Sequence, residues 1–413
     1  MNKVNEILLL IYGFFLIFRP DIGIGIIFIH IIFLITILLV VLEGKIKKVN
    51  DKKILFYVFS FSFLFFYNSI FTIFKTGDFS QPYVIFTVVV EVVFCLLYIA
   101  PKIANRSKSI LDIYHYLLKI GLIQVFFVFL TIVFPDFRLF ILSLSRNTEL
   151  VEISNYGSVA IRSFGFAEAY TSTMPAFLSV CLAICLLLFL NEGLKRYIFF
   201  IPLLFIGIVL NARTPIVIIF FVLVAFSVLS CKFTRITKFY FLLSMTVALI
   251  FLSFFTLLGE LSAPLKRLTE GFIEVGNLFS GKATGTFDVL LDMFVLPPTL
   301  MDNIFGTGVN VFLPNDYNFH SDSGYIRDIY MSGFLSIIIQ FLAIFSIYYY
   351  NVKIYLFVGN SKKKYTLLMF LTALYFSYMI INFKGSVFYL NELTVTLLII
   401  TFFNYFYTKK QVS

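Results

Sequence analysis

Arginine and lysine are distributed differently along this chain, and arginine is the residue whose placement suggests chemistry. Seven of its ten arginines (Arg19, Arg138, Arg146, Arg162, Arg213, Arg267 and Arg327) fall in segments that the charge pattern puts outside a membrane, whereas seventeen of its twenty-two lysines fall on the inner side. Lysine on inner loops serves to fix orientation. A planar guanidinium can grip phosphate or carboxylate at two points without a metal. The expectation is a site on the outer face for a phosphorylated or acidic ligand. Arg162 stands in Arg162-Ser163-Phe164-Gly165-Phe166-Ala167-Glu168, just before an apolar run, so a cation and a carboxylate share a membrane boundary. Arg213 lies in Asn211-Ala212-Arg213-Thr214-Pro215, a hairpin too short to carry it far from its flanking segments. Two guanidiniums at headgroup depth could clamp a diphosphate and stabilise charge that grows on a leaving group. Any one of them is equally well explained as snorkelling to lipid phosphates; that account is weaker for the whole set.

A second set of residues gathers near His320, in Asn318-Phe319-His320-Ser321-Asp322-Ser323-Gly324-Tyr325, with Gly306-Thr307-Gly308 just upstream. A histidine in an outer loop can act as general base near neutral pH, or can simply be a polar surface residue. The run His-Ser-Asp-Ser is not expected to form a hydrolase triad, because chain neighbours rarely converge in that geometry. No metal site is expected: His30, His115 and His320 are dispersed, and no His/Asp/Glu cluster has ligand spacing. Glu91, inside Val88-Val89-Val90-Glu91-Val92-Val93, and Lys119 are intramembrane charges. They read as a structural pair or a neutral carboxyl rather than an ion route. Cys181 and Cys185 share a helix face but lack further ligands, and read as packing residues. Because all four cysteines lie in or at the end of apolar runs, neither long outer segment can carry a disulfide.

The elements that must position these groups are membrane helices. With 60% hydrophobic and 13% charged residues, a soluble fold could not hide the apolar surface, and the expected class is an all-α polytopic integral membrane protein. About twelve spans are expected, at 6–18, 22–42, 54–74, 83–100, 113–134, 170–190, 197–210, 215–231, 239–259, 328–350, 365–383 and 388–407, forming a single transmembrane domain over 1–413. The first and seventh are short, which implies tilt or local thinning. The N-terminal run, followed by Arg19-Pro20-Asp21 and no small-residue cleavage site, reads as a retained span. The net charge of +10 is held in short clusters between spans, which fits membrane topology and not nucleic acid. Lys3, Lys409 and Lys410 put both termini inside, and two long segments, about 135–169 and 260–327, then face outward as extracytoplasmic loops. Long ordered loops are usually functional. In the second, Leu265, Leu268, Phe272, Val275 and Phe279 recur at helical spacing, as in a helix lying on the membrane surface.

Taken together, the many spans, two long outer loops, Arg-x-x-Gly-Phe before a mid-chain span, the Ala-Arg-Thr turn, and Phe-Gly-x-Gly followed by His-Ser-Asp-Ser-Gly-Tyr before a late span resemble O-antigen polymerases of the Wzy type. These stand with the O-antigen ligases among GT-C glycosyltransferases. The resemblance covers most of the chain in topology and four short stretches in motif. It implies a metal-independent, cofactor-free transferase in the bacterial inner membrane, with its active site on the periplasmic side. Donor and acceptor would both be oligosaccharides on undecaprenyl diphosphate; membrane lipids, a chain-length regulator of the Wzz type and a flippase of the Wzx type are the other implied partners. The family's outer-loop arginines correspond to Arg162 and Arg213, with Arg267 matching less closely, and the ligases' loop histidine corresponds to His320. Glu168, Asp322 and Tyr325 join them as substrate-binding candidates. The rival readings are a ligase and a flippase or exporter of the same lipid-linked glycan. A flippase would need a polar route through the span interiors, which hold little beyond Glu91, Lys119 and His30.

Overall fold

A backbone that crosses hydrocarbon must satisfy its own N–H and C=O groups, and the apolar runs among the described residues accordingly fold as helices. The computed structural model describes residues 3–20, 26–44, 51–75, 77, 80–144, 165–166, 173–193, 196–211, 218, 292–311, 320–383 and 392–412, and among these all regular structure is helical. In chain order the helices are α1 (Lys3–Phe18), α2 (Ile26–Leu42), α3 (Lys52–Lys75), α4 (Ser80–Phe94), a π-helical turn (Cys95–Ile99), α5 (Ala100–Arg106), α6 (Asp112–Val133) and α7 (Pro135–Leu144). They continue with α8 (Thr173–Glu192), α9 (Arg196–Val209), α10 (Leu300–Phe305), α11 (Gly324–Leu356), α12 (Ser361–Ile381) and α13 (Glu392–Val412).

Six of these stretches are long and apolar enough to cross a membrane: Lys52–Lys75, Ile85–Arg106, Asp112–Thr131, Thr173–Glu192, Gly324–Leu356 and Ser361–Ile381. They mark a multi-pass membrane protein. Shorter apolar helices run over Asn5–Phe18, Ile29–Leu42 and Arg196–Ile208, two of them where short spans were expected. The expected spans 215–231 and 239–259 lie outside the described residues, apart from Ile218, as does the amphipathic stretch 265–279. Two differences in boundary bear on the candidate site. The segment beginning at 135 opens as helix α7 and not as loop, and α11 starts at Gly324, so that Asp328 lies inside the helix and not at its edge.

The chain divides into two compact units: Met1–Ile29, Ser107–Gly276 and Tyr355–Ser377 form one, and His30–Arg106, Asn277–Ile354 and Tyr378–Ser413 the other. In the first, α8 packs against α6 and α9, and every residue from Thr173 to Leu188 is buried, as suits a helix that is apolar all round. Gly121 of α6 faces the Cys181 side chain so closely that a methyl group would collide with it, and Cys181 Sγ lies 3.7 Å from Leu117 O. Small residues that let membrane helices approach are the usual device for such packing. Cys181 and Cys185 are buried free thiols, in keeping with a packing role.

In the second unit, α13 packs along α5 and the π turn, and α3 along α4. An amide ladder joins α11 to α13: Asn404 Nδ2 donates to Asn351 Oδ1 at 2.8 Å, and Asn351 Nδ2 donates to Thr401 Oγ1 at 2.8 Å. Hydrogen bonds of this kind are a recurrent adhesive between helices in lipid. Lys53 lies over the Tyr349 ring, Lys410 Nζ donates to Asn105 O (3.0 Å), and Lys75 meets Asp302 (3.3 Å).

Candidate functional site

The second unit carries a built structure where two of the singled-out motifs come together. It starts with α10, whose N-cap is Thr299: its Oγ1 accepts from the Asp302 N–H at 3.1 Å and donates to Asp302 Oδ2 at 2.6 Å. Lys75 Nζ donates to Asp302 Oδ1 at 3.3 Å. The Thr299 hydroxyl first, and Lys75 second, hold the Asp302 carboxyl below the ordinary carboxylate range. The other end of α10 is tied to α3, where the Tyr67 hydroxyl donates to Phe305 O at 2.7 Å.

Immediately afterwards Gly306-Thr307-Gly308 lies against a break in α11. Gly333 has φ 71° and ψ 178°, a backbone state open in practice only to glycine, and so interrupts the helix. The break leaves the Tyr330 carbonyl to be satisfied from elsewhere; it accepts from Thr307 N–H (2.6 Å), Gly308 N–H (3.1 Å) and the Thr307 hydroxyl (2.9 Å). The two backbones touch directly. A Cβ on Gly306 would lie 2.6 Å from Ser332 N, and one on Gly333 would lie 2.6 Å from Phe305 N. A lone Gly-x-Gly is a weak phosphate-loop signal, and here the Thr307 and Gly308 N–H groups are spent on a helix carbonyl. Non-helical backbone at membrane depth is tolerated where protein buries it, and this packing supplies the burial. Ser332 Oγ adds a hydrogen bond to Asn68 Oδ1 of α3, with both side chains fully buried.

On this base stands the stretch 320–325. Ser321 N–H donates to Val311 O (3.1 Å), its hydroxyl donates to Met293 O (3.1 Å) and accepts from Ser323 N–H (3.2 Å), and Gly324 N–H donates to Asn382 O (2.9 Å). The Tyr325 hydroxyl donates to Met379 O at 2.8 Å, and its ring stacks on Phe341 and meets Phe383 edge-on. Beneath it Val311, Ile326, Ile329, Tyr330 and Ile337 form a small apolar core. What this scaffold presents outward is His320, whose Nε2 lies 3.1 Å from Asp322 Oδ1, with the two side chains 54% and 43% exposed. Within His-Ser-Asp-Ser one pair of side chains does meet. A tight turn pinned at Ser321 brings residues 320 and 322 to the same side. A carboxylate 3.1 Å from the ring nitrogen is the arrangement of an imidazole with an orienting partner. Ser321 is committed to backbone and gives His320 no nucleophile, so the triad is still not formed.

Arg162, Glu168, Arg213 and Arg267 lie outside the described residues. The Arg162 motif is represented by Gly165 and Phe166, in the first unit. Gly165 has φ +54°, and a side chain there would strike Gln124 Nε2 at 2.6 Å. The fully buried Gln124 accepts the Phe166 N–H through Oε1 at 3.3 Å, and the Phe166 ring meets Phe127 edge-on at 4.7 Å. Gly165 and Phe166 are thus clipped to α6.

Several residues escaped the sequence reading. Asp328 is 1% exposed, its Oδ2 has no hydrogen-bond partner, and it lies within electrostatic reach of the Tyr325 and Tyr378 phenols. The signal was an acid inside an apolar run, obscured by taking residue 328 as the span's first. Glu91 and Lys119, which the sequence reading did single out, each find a partner. The buried Glu91 Oε1 is 3.4 Å from His30 Nε2, while Lys119 pairs with Glu6 at 2.7 Å, both more than half exposed. His115, seemingly isolated, is bonded to Glu192 (2.8 Å) and Tyr197 (3.2 Å). Comparison with protein-family models, with curated proteins and with solved structures returned no match to the chain.

Proposed function

We propose that the chain is a glycosyltransferase that polymerises lipid-linked oligosaccharide repeat units of an O-antigen or related surface polysaccharide, at the outer face of the bacterial inner membrane. The observation that carries this reading is that Phe305-Gly306-Thr307-Gly308 and His320–Tyr325, the two late stretches of the resemblance, are parts of one structure that displays an exposed His–Asp pair at the end of a membrane helix.

In this reading the His320 lone pair takes the proton of an acceptor hydroxyl as that oxygen attacks the donor's anomeric carbon. The new C–O bond forms while the bond to the diphosphate breaks. Undecaprenyl diphosphate leaves with the electron pair, and attack from the opposite face inverts the carbon. Arg162 and Arg213 hold the growing phosphate charge, the task that a divalent metal performs in other transferases. Arg267, Glu168, Asp322 and Tyr325 complete the substrate contacts. The twelve spans, cytoplasmic termini and periplasmic loops belong to the same proposal, as do a chain-length regulator and a flippase as partners.

Inactivating the protein in its host separates this reading from its rivals. Loss of polymerisation leaves single repeat units capping the surface lipid; loss of a ligase removes capping altogether, and loss of a flippase traps lipid-linked units inside. Complementation with Arg162→Ala or Arg213→Ala should fail to restore long chains at normal protein levels, since one charge-stabilising donor contributes about 10²–10³-fold to such a step. Long chains made by both variants would remove the diphosphate clamp.

A further inference from the structure

Residues 293–301, Met-Phe-Val-Leu-Pro-Pro-Thr-Leu-Met, carry no charge, and the helix they lead into is too short to cross a membrane. Its polar side chains are turned to local use. Asp302 is held by Thr299 and Lys75, and Asn303 Nδ2 donates to Pro297 O at 2.8 Å. What remains outward is apolar: Leu300 is 75% exposed and Met301 67%, with Val295, Leu296 and Phe305 also open. Water is a poor neighbour for so many adjoining apolar side chains, and such a surface marks a contact with something apolar.

The place of this surface says what that contact is. Lys75, which holds Asp302, is the last residue of α3, and Phe74 beside it is 85% exposed. From there exposed Ile70, Phe66, Phe63 and Phe59 run back along a helix long and apolar enough to span a bilayer. The open face of α3 and the apolar face at α10 therefore adjoin at the Lys75–Asp302 contact. Lys75, at the boundary between them, is placed to meet lipid phosphate while its neighbours enter the acyl region, as cations at helix ends do.

We propose that residues 295–301 form a membrane-immersed ledge, with Leu300 and Met301 seated among the phospholipid acyl chains of the leaflet at the Lys75 end of α3. The segment between the apolar runs is then partly interfacial and not wholly solvated, so the apparatus displaying His320 is moored to the bilayer surface. This stands independently of the enzymatic reading.

The chain contains no tryptophan, which makes the test direct. Leu300→Trp and Met301→Trp each introduce a sole indole at an exposed position, in the full-length protein reconstituted into phosphatidylcholine vesicles. Phe66→Trp, facing outward in mid-span, serves as the immersed reference; Gly359→Trp, in the open turn between α11 and α12, serves as the aqueous one. With phosphatidylcholine brominated on its acyl chains, the indoles at 300 and 301 should lose most of their emission, as at 66, and should resist iodide in the water. Quenching by iodide and not by brominated lipid would overturn the ledge in favour of a solvated surface. Protection from both quenchers would overturn it in favour of a protein cover. Activity enters neither result, so failure here is distinct from failure of the proposed reaction.

Discussion

Replacing Gly333 by alanine tests whether the break in α11 and the motif packed into it are one structure. The magnitude has two sources. At φ 71° and ψ 178° an L-residue is strained by about 1–3 kcal/mol. The added Cβ would also lie 2.6 Å from Phe305 N and closer still to the Ile304 carbonyl, and these backbone atoms cannot rotate aside. Forcing α10 away is an overpacking cost of about 1–3 kcal/mol more, and it strains the Tyr67 bond to Phe305 O and the bonds to Tyr330 O. Together Gly333→Ala should destabilise by roughly 2–6 kcal/mol. Two other glycines separate these terms. Gly44 has φ +63° but open space around it, so Gly44→Ala should cost only about 1 kcal/mol in left-handed backbone. Gly359 has neither problem, and Gly359→Ala should stay within about 0.5 kcal/mol of the parent. Unfolding in detergent, by heat or denaturant, should rank parent and Gly359→Ala highest, then Gly44→Ala, and Gly333→Ala well below. If Gly333→Ala unfolds together with Gly44→Ala, α10 does not rest on the break and the construction of the site is wrong.

Gly165→Ala should dislodge Gly165 and Phe166 from Gln124, at a stability cost of about 1–3 kcal/mol; Gln124→Ala in the same background should add little further loss, as a double-mutant cycle would show. Asp302 gives a pH signature. Its carboxyl sits below the ordinary range in the folded protein, so the stability it contributes is whole above that range and is lost as pH falls through the lowered folded value. Asp302→Asn should therefore lower the melting temperature at neutral pH and match the parent in strong acid; a difference that persists unchanged in acid would refute the ionic role. Under the proposed function, His320→Ala should slow glycan extension by about 10²-fold or more, whereas an unchanged rate would eliminate the histidine as base.

The helices were legible because hydrocarbon leaves the backbone few choices. Long apolar runs such as 54–74, 113–134 and 170–190 became α3, α6 and α8 with shifts of only a few residues. Polar punctuation misled where it sat inside a helix: Asp136 and Arg138 made α7 look like loop, and Asp328 looked like a boundary while it is fully enclosed. Burial of that kind depends on neighbours distant in sequence, as does the Asn68–Ser332 bond across 264 positions. The glycines at 306 and 333 illustrate the same point. Their residue type was visible, but the close approach of Gly306 to Met331 and Ser332, and of Gly333 to Ile304 and Phe305, arises only when α10 docks on the break. Likewise His320 was legible as a candidate from its loop, while its pairing with Asp322 follows from the turn that Ser321 pins to Met293 and Val311.

Under the proposed function, the chain itself joins lipid-linked repeat units without a metal. Purified protein in vesicles, supplied with one defined undecaprenyl-diphosphate oligosaccharide and an excess of chelator, should yield a ladder of products longer by whole repeats. Recovery of the single repeat unchanged, from protein that melts cooperatively and is correctly inserted, would contradict it.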